Sequence, residues 1–406
     1  MAGTKVIIAG GGVAGPVLGI LLKLRGYEPV IYERLDAPSD MGLSLALQGN
    51  GLKVLGLIPG LVDKIQKKEI DAIVQYSALA DDERELVRGH TQQKELTGYA
   101  INGVRRPVLL HALVEEAQAH GVRVVFGHQL VGFEQHEDSV TVRFANGESG
   151  YGELPRRVRR AAQRYEEDDV WGGGRFVHWL DTGISPYPKV WKARDPGAMF
   201  NIYGDGFHMI GYAVNDHEVS WAVTRREAEA KETWRAMDDE RQQEFREGPF
   251  SHLPFGGGEL VRTAAHIIKF GLYDRPELAT WHEGRVVLIG DAAHPTSPGA
   301  NQAMEDCYHL TRLLLAHNPS GAPPSTALLE KIFTEFEGPR IARTSELVKG
   351  ARQQGELRVV SGVDACKKRN VIIGEKFGLG KAGGAGLAAM FKHLVEHPFK
   401  AGESEI

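Results

Sequence analysis

The chain is short of cysteine: only Cys307 and Cys366 occur in 406 residues. Two thiols make no disulfide framework, which excludes a small cross-linked secreted scaffold and fits a reducing compartment. An excess of positive charge is also missing. The formal net charge is −5 at pH 7, so there is no electrostatic footprint for nucleic acid. The basic run "RRVRR", residues 156–160, is local, and a solvated helix face is its default reading. No apolar run is long enough to span a bilayer. A first strand beginning at Lys5 leaves no room for a signal peptide, so a cytoplasmic location is expected. Neither G-x-S-x-G nor a paired-carboxylate motif is present. His208, His217 and His294 lie in different motifs without metal-ligand spacing, so no metal is expected. There is no internal repeat.

The composition that remains is ordinary for a globular protein, 42% hydrophobic and 25% charged. Its length suggests more than one domain. "KVIIAGGGVAGPVLGILLKLRGYEPVIYER", residues 5–34, reads as strand, Gly-rich turn, helix and strand, with Gly26 ending the helix. Two parallel strands need such a crossover, so this is a βαβ unit. Gly10, Gly12 and Gly15 fit G-x-G-x-x-G. The first allows a tight turn, the second lets backbone approach a pyrophosphate, and the third lets the helix pack close. The helix amino terminus then offers unpaired N–H groups and partial positive charge to a phosphate. Glu33, ending the second strand, stands where a carboxylate accepts from ribose hydroxyls. A second match, Gly378, Gly380 and Gly383, has no good strand before it and no strand-plus-acid after it, and reads as a flexible loop.

Further on, "RPVLLHALVEEAQAHG" spaces its apolar residues as an amphipathic helix, and "VRVVFG" follows as a buried strand. "VTVRFANGES" turns at Asn146-Gly147, a hairpin signal. Residues 200–226 read as antiparallel strands carrying Phe200, Tyr203, His208, Met209, Tyr212 and Trp221, most of them core. "VVLIGDAAHPTSPGAN", residues 286–301, begins as a strand buried on both faces. Asp291 is thereby expected at the carboxyl end of a central strand, where open α/β sheets bind ligands. A helix follows, and from Ser325 the chain reads as mostly helical, with a Gly-rich break at 378–386.

"GGGVAG", "YER", "GVRRPVLLHAL" and "GRVVLIGDAAHPTSPGANQAMEDCYHL" together resemble the class A FAD-dependent aromatic monooxygenases of the 4-hydroxybenzoate or salicylate hydroxylase type. "GLSLALQGNGLKVL" and "EVSWAVTRREAEAKETW" look similar to fungal members acting in secondary metabolism. The resemblance implies an α/β fold. A Rossmann-like FAD-binding domain (1–75, 98–165, 263–330) would be interrupted by a mostly antiparallel β-sheet substrate domain (76–97, 166–262) and followed by C-terminal helices (331–406). It implies FAD as cofactor and NAD(P)H as electron donor. One oxygen atom from O2 would enter a small aromatic or prenylated (terpenoid) substrate through a flavin C4a-hydroperoxide. Carried over by position, Gly10, Gly12 and Gly15 would serve the pyrophosphate and Glu33 the adenosine ribose. Arg106 would sit against the flavin and its phosphates, and Asp291 would bind the ribityl chain. Gly299, Ala300 and Asn301 would line the isoalloxazine with backbone, and Ala46 and Pro298 would be cofactor-binding as well. The chemistry belongs mostly to the cofactor, so no catalytic side chain is named.

The chain departs from the family twice. Pro298 runs straight into Gly299 where the family has a few more residues, including a Gly-Gln pair. After the hairpin the family has a buried strand ending in Ala-Asp-Gly. Here "YGE", residues 151–153, stands in that place and the strand looks absent. Losing an internal strand would leave buried backbone groups unpaired, at about 1–3 kcal/mol each, so the gap must close differently or weaken the fold. The same loss opens an alternative of another class: a redox-inactive relative, either a scaffold or a cofactor-independent cyclase.

Overall fold

The computed structural model describes residues 3–40, 42–156, 175–226, 235–274, 277–294, 299–377, 396–400 and 402–406. The second Gly-rich stretch, Pro298 and most of the "RRVRR" run lie outside the described residues. The apolar runs at the start form strand Lys5–Ala9, helix Ala14–Lys23 and strand Glu28–Tyr32. The two strands pair in parallel from Lys5↔Glu28 to Ala9↔Tyr32. Gly26 turns the chain back at φ +83°, a conformation glycine adopts without cost. These strands belong to a six-stranded sheet. Its order is His282–Glu283, Val286–Val287, Leu154–Arg156, Lys5–Ala9, Glu28–Tyr32 and Arg123–Val125. The last of these, expected to be buried, is an edge strand flanked only by Glu28–Tyr32, which leaves Arg123 exposed and Val124 and Val125 half-buried.

The strand that looked absent is there in reduced form, which corrects the reading of an empty slot. The hairpin strand Ser149–Gly152 leads straight into Leu154–Arg156, which pairs in parallel with Val6–Ile8 on one side and with Val287 on the other. Three residues suffice because their neighbours are already fixed. Pro155 enters a central strand although it has no N–H to give. Gly152 is required by proximity, since a Cβ there would lie 2.8 Å from Ile7 Cγ1. Glu153 ties the junction down: its Oε2 accepts from Lys5 N–H (2.6 Å) and its own N–H donates to Lys5 O (3.0 Å). This places Glu153 at the amino end of the sheet, opposite the ligand-binding edge. It therefore does not replace the family aspartate.

Residues 72–90 and 175–274 supply an eight-stranded sheet. Its order from the edge is Arg235–Ala236, His266–Asp274, Arg175–Pro186, Glu218–Arg225, Phe207–Ala213, Ala198–Tyr203, Ala72–Ser77 and Arg84–His90. Strand alternation sorts the six residues singled out above. Phe200, Met209 and Trp221 join Trp191 and Leu260 in a buried apolar cluster under the short helices Lys189–Arg194 and Gly257–Thr263. Tyr203, His208 and Tyr212 point to the opposite face with Gln75, Asn201, Ser220 and Thr224, to which they are cross-strand neighbours. Helices Thr326–Arg358 and Val363–Phe377 follow further along the chain. Among the described residues, no helix is long and apolar enough to cross a membrane.

Candidate cofactor and substrate site

The Gly-rich turn has the geometry its spacing implied. Gly10 sits at φ +119°. A Cβ at Gly15 would lie 2.0 Å from Gly10 O, so only glycine lets the helix begin this close to the turn. Around Gly12 a Cβ would meet nothing within 4 Å, which leaves room for a ligand. The helix Ala14–Lys23 has no side-chain cap at its amino terminus, so its first N–H groups are left for an anion. Glu33 reaches the same place: Oε2 accepts from Gly11 N–H (2.6 Å) and Oε1 from Leu35 N–H (3.0 Å).

Arg106 opens its helix and lies against Gly42, where a Cβ would come within 2.9 Å of the guanidinium. The Arg106 guanidinium has no hydrogen-bond or ion-pair partner among the described residues. Its neighbour Arg105 is paired with Glu218 at 3.1 Å. Arg106→Ala should therefore raise the FAD dissociation constant about tenfold or more, the scale of a charge-assisted contact. Arg105→Ala should change it less than about threefold. Equal effects of the two in a flavin fluorescence titration would transfer the role away from Arg106.

The second flank comes from Val286 onward. Regular pairing ends at Val287, two residues sooner than expected, and Gly290–Ala292 forms a single 3-10 turn that leaves Asp291 exposed beyond the strand. Gly290, at φ +57°, packs between Ala303 and Ala14, so the turn adjoins the start of the first helix. A Cβ at Gly299 would lie 2.8 Å from Asp291 Oδ1, so the two residues are neighbours. Ala46 lies on strand Ser44–Leu47, and Asn301 fastens that strand to the helix Gly299–His317. Asn301 Nδ2 donates to Ala46 O and its Oδ1 accepts from Gln48 N–H, both at 3.0 Å. Gly10, Gly12, Gly15, Glu33, Ala46, Arg106, Asp291, Gly299 and Ala300 thus fall on the elements around one edge of the sheet. The uncapped helix end, the open space at Gly12 and the unpaired Arg106 fit a dinucleotide.

Behind this edge is a buried polar network that sequence reasoning missed. Glu305 accepts from Arg340 (2.6 Å), Arg343 (2.6 and 2.7 Å), Asn50 (2.6 Å) and Gln302 (3.1 Å). Burial opposes its charge, but the two guanidiniums hold its carboxyl far below the usual carboxylate range. Asp306 accepts from Arg340 Nε (2.8 Å), Gly290 N–H (2.8 Å) and His294 Nε2 (2.7 Å). The available signal was two adjacent acids in the middle of the helix Gly299–His317, with Arg340 and Arg343 far along the chain. Glu305, His309 and His397 bring ligand atoms within 4.8 Å of one another. Both Glu305 oxygens are already engaged by arginine, and burial with Arg340 nearby pushes His309 down to about 3, so this group reads as part of the network.

The polar face of the eight-stranded sheet meets strand Ser44–Leu47 at Ser44. Its Oγ lies 2.8 Å from Tyr212 Oη and donates to Ser220 Oγ at 2.6 Å. Four residues along the strand, roughly 13 Å away, His208 is fully buried. His208 Nε2 lies 3.0 Å from Asn201 Oδ1, and Nδ1 has no partner. Burial first, then Arg358 and Arg369, push its pKa well below the usual value, so it is neutral. The bond to Asn201 Oδ1 assigns the proton to Nε2 and leaves Nδ1 an acceptor.

The family model for the FAD binding domain matches residues 3–157 and 213–329. The 3-amino-4-hydroxybenzoate 2-monooxygenase of Streptomyces cremeus is 29% identical over 372 residues, 87% of this chain and 87% of that protein. The FAD-dependent monooxygenase cdmI of Talaromyces verruculosus is 24% identical, over 88% of this chain and 80% of that protein. In structure the chain is similar to Klebsiella pneumoniae HpxO complexed with FAD and uric acid, with TM-score 0.79 and 18% identity over 97% of each chain. At that identity the likeness shows the fold. These relatives do not favour the redox-inactive alternative. With two thirds of its length matched by the family model and the Gly-rich turn in place at the start of the first helix, the chain belongs to the FAD binding domain family and is a class A FAD-dependent aromatic monooxygenase.

Proposed function

We propose that this monooxygenase inserts one oxygen atom from O2 into a small aromatic or prenylated molecule of secondary metabolism. It would work in the cytoplasm with electrons from NAD(P)H, on a substrate that presents a hydroxyl or amino donor to His208. The observation that carries the substrate reading is the neutral, enclosed His208 with one unpartnered acceptor nitrogen on the sheet's polar face. A buried acceptor without a partner costs about 1–3 kcal/mol, which a substrate donor would recover. Arg358 and Arg369 disfavour an imidazolium and favour electron density on the oxygen or nitrogen of the donor. His208 thus orients and polarises the donor rather than keeping its proton.

In this reading Gly10, Gly12, Gly15, Glu33 and Arg106 hold the adenosine and pyrophosphate half of FAD, and Asp291 holds the ribityl chain. Ala46, Pro298, Gly299 and Ala300 border the ring. Bound FAD supplies the oxygen-transfer chemistry. The protein keeps the substrate ring next to it and keeps water away. The division into an FAD-binding part, a substrate part and C-terminal helices belongs to the same proposal, with strands Ala72–Ser77 and His266–Asp274 at the boundaries.

The test is to supply FAD, NADH or NADPH and a panel of hydroxy- and aminobenzoates and prenylated phenols, and to look for a product heavier by one oxygen. His208→Phe should retain FAD and lower the efficiency of oxygen transfer by about 10²–10⁴, with reduced nicotinamide still consumed. Full oxygen transfer by His208→Phe would remove His208 from the site. Nicotinamide oxidation without any oxygenated product across the panel would refute the proposed substrate class.

A further inference from the structure

We propose that Asp306 is a positioning residue for the cofactor: it fixes the Gly290–Ala292 turn, and through it Asp291, by holding the Gly290 amide and His294. The inference rests on the reading of that turn as part of the FAD site. Strand pairing stops at Val287, so the sheet cannot fix the backbone at Gly290. Gly290 is buried in a left-handed conformation, and a turn of this kind needs a partner for its inward N–H. That partner comes from the next helix. Asp306 Oδ2 takes both Gly290 N–H (2.8 Å) and His294 Nε2 (2.7 Å), while His294 N–H closes the turn on Gly290 O (2.9 Å). Asp306 Oδ1 takes Arg340 Nε at 2.8 Å, so a residue of the C-terminal helix holds the carboxylate in place.

Asp306, His294 and Arg340 are all at least 95% buried. Burial alone would raise the Asp306 carboxyl, but His294, Arg340 and the Gly290 amide bring it down to about 2, so it is ionised at working pH. The helix Gly299–His317 is already anchored by Met304, Cys307, Tyr308 and Leu310 in the main core. An apolar residue at 306 would satisfy the helix and fail the turn.

The experiment separates holding the turn from holding the fold. Removing one charge of a buried pair destabilises strongly, whereas removing both is often tolerated. Two double variants are therefore compared, Asp306→Asn/Arg340→Met and Asp306→Leu/Arg340→Met. Both remove the charge pair, but only the first keeps an acceptor for Gly290 and His294. Flavin fluorescence titration of each folded apoprotein should give a dissociation constant at least tenfold weaker for the leucine variant than for the asparagine variant, with bound-flavin absorption bands displaced only in the leucine variant. Equal affinities and spectra would overturn the proposal. Should the leucine variant not fold, amide exchange in the wild-type chain decides. Gly290 should be protected before FAD is added, and an amide that exchanges freely until FAD binds would show that the cofactor, not Asp306, orders the turn. A wild-type chain that takes up no FAD would remove the reading of the turn as a cofactor site, and this proposal with it.

Discussion

Gly12→Asp should yield a folded protein that no longer retains FAD. The backbone at Gly12 is outside the left-handed region, and a Cβ there would touch nothing within 4 Å, so the substitution introduces no strain or clash. What it introduces is a carboxylate in front of an uncapped helix amino terminus whose partial positive charge would otherwise meet the pyrophosphate. The aspartate would satisfy those N–H groups itself and repel the phosphates. A weakening of at least about 100-fold, about 2.7 kcal/mol, is expected. Glu33→Ala should cost less, because it removes ribose acceptors without adding repulsion, even though it also frees the Gly11 N–H that Glu33 holds. Absorbance in the flavin bands after desalting, with the apoprotein melting temperature as control, checks both. Full flavin retention by Gly12→Asp would end the assignment of this turn to the pyrophosphate.

Arg285→Met should be among the most damaging single changes in the chain, although Arg285 touches no cofactor residue. Its guanidinium is fully buried and donates from Nε (3.0 Å) and Nη2 to Glu153 O, from Nη1 to Glu137 O (3.2 Å) and Thr326 Oγ1 (3.0 Å), and from Nη2 to Pro324 O (3.1 Å). Arg285 thereby pins the entrance of the shortened strand Leu154–Arg156 to the neighbouring strand and to the start of helix Thr326–Arg358. Methionine fills the space and leaves the Glu153 and Pro324 carbonyls without their guanidinium donor, each worth about 1–3 kcal/mol when buried, while Glu137 O keeps its bond from Thr326 Oγ1. A loss of about 3–5 kcal/mol is expected in denaturant unfolding of the apoprotein. Arg285→Lys should recover little, since an ammonium has three donors and lacks the planar fork. A loss below about 1 kcal/mol would mean that the short strand closes the sheet without this clamp.

The Gly-rich turn could be read in the sequence because its geometry is local. Gly10, Gly12, Gly15 and Glu33 lie within one βαβ unit, and phosphate binding at a helix start demands small residues at set intervals. The 150s could not be read in this way. A three-residue strand containing Pro155 has neither length nor alternation to announce it. What makes it a strand is the pairing offered by Val6–Ile8 and Val287, together with the donors of Arg285, 132 positions from Glu153.

The sheet and the network behind the turn divide in the same manner. The period of two within each strand sets Phe200 opposite Tyr203, and Met209 opposite His208 and Tyr212, because successive side chains must point oppositely, but the strand register was needed to put Phe200, Met209 and Trp221 on one face. Which face would be covered by helices and which would meet Ser44 depended on long-range packing, since either face could have been the inner one. Asp306 and Arg340 are 34 positions apart, and each is an ordinary charged helix residue until the fold buries both. Desolvation then makes the pair obligatory: a lone charge there would be costly, and the carboxylate that Arg340 stabilises is the one that the Gly290 amide needs.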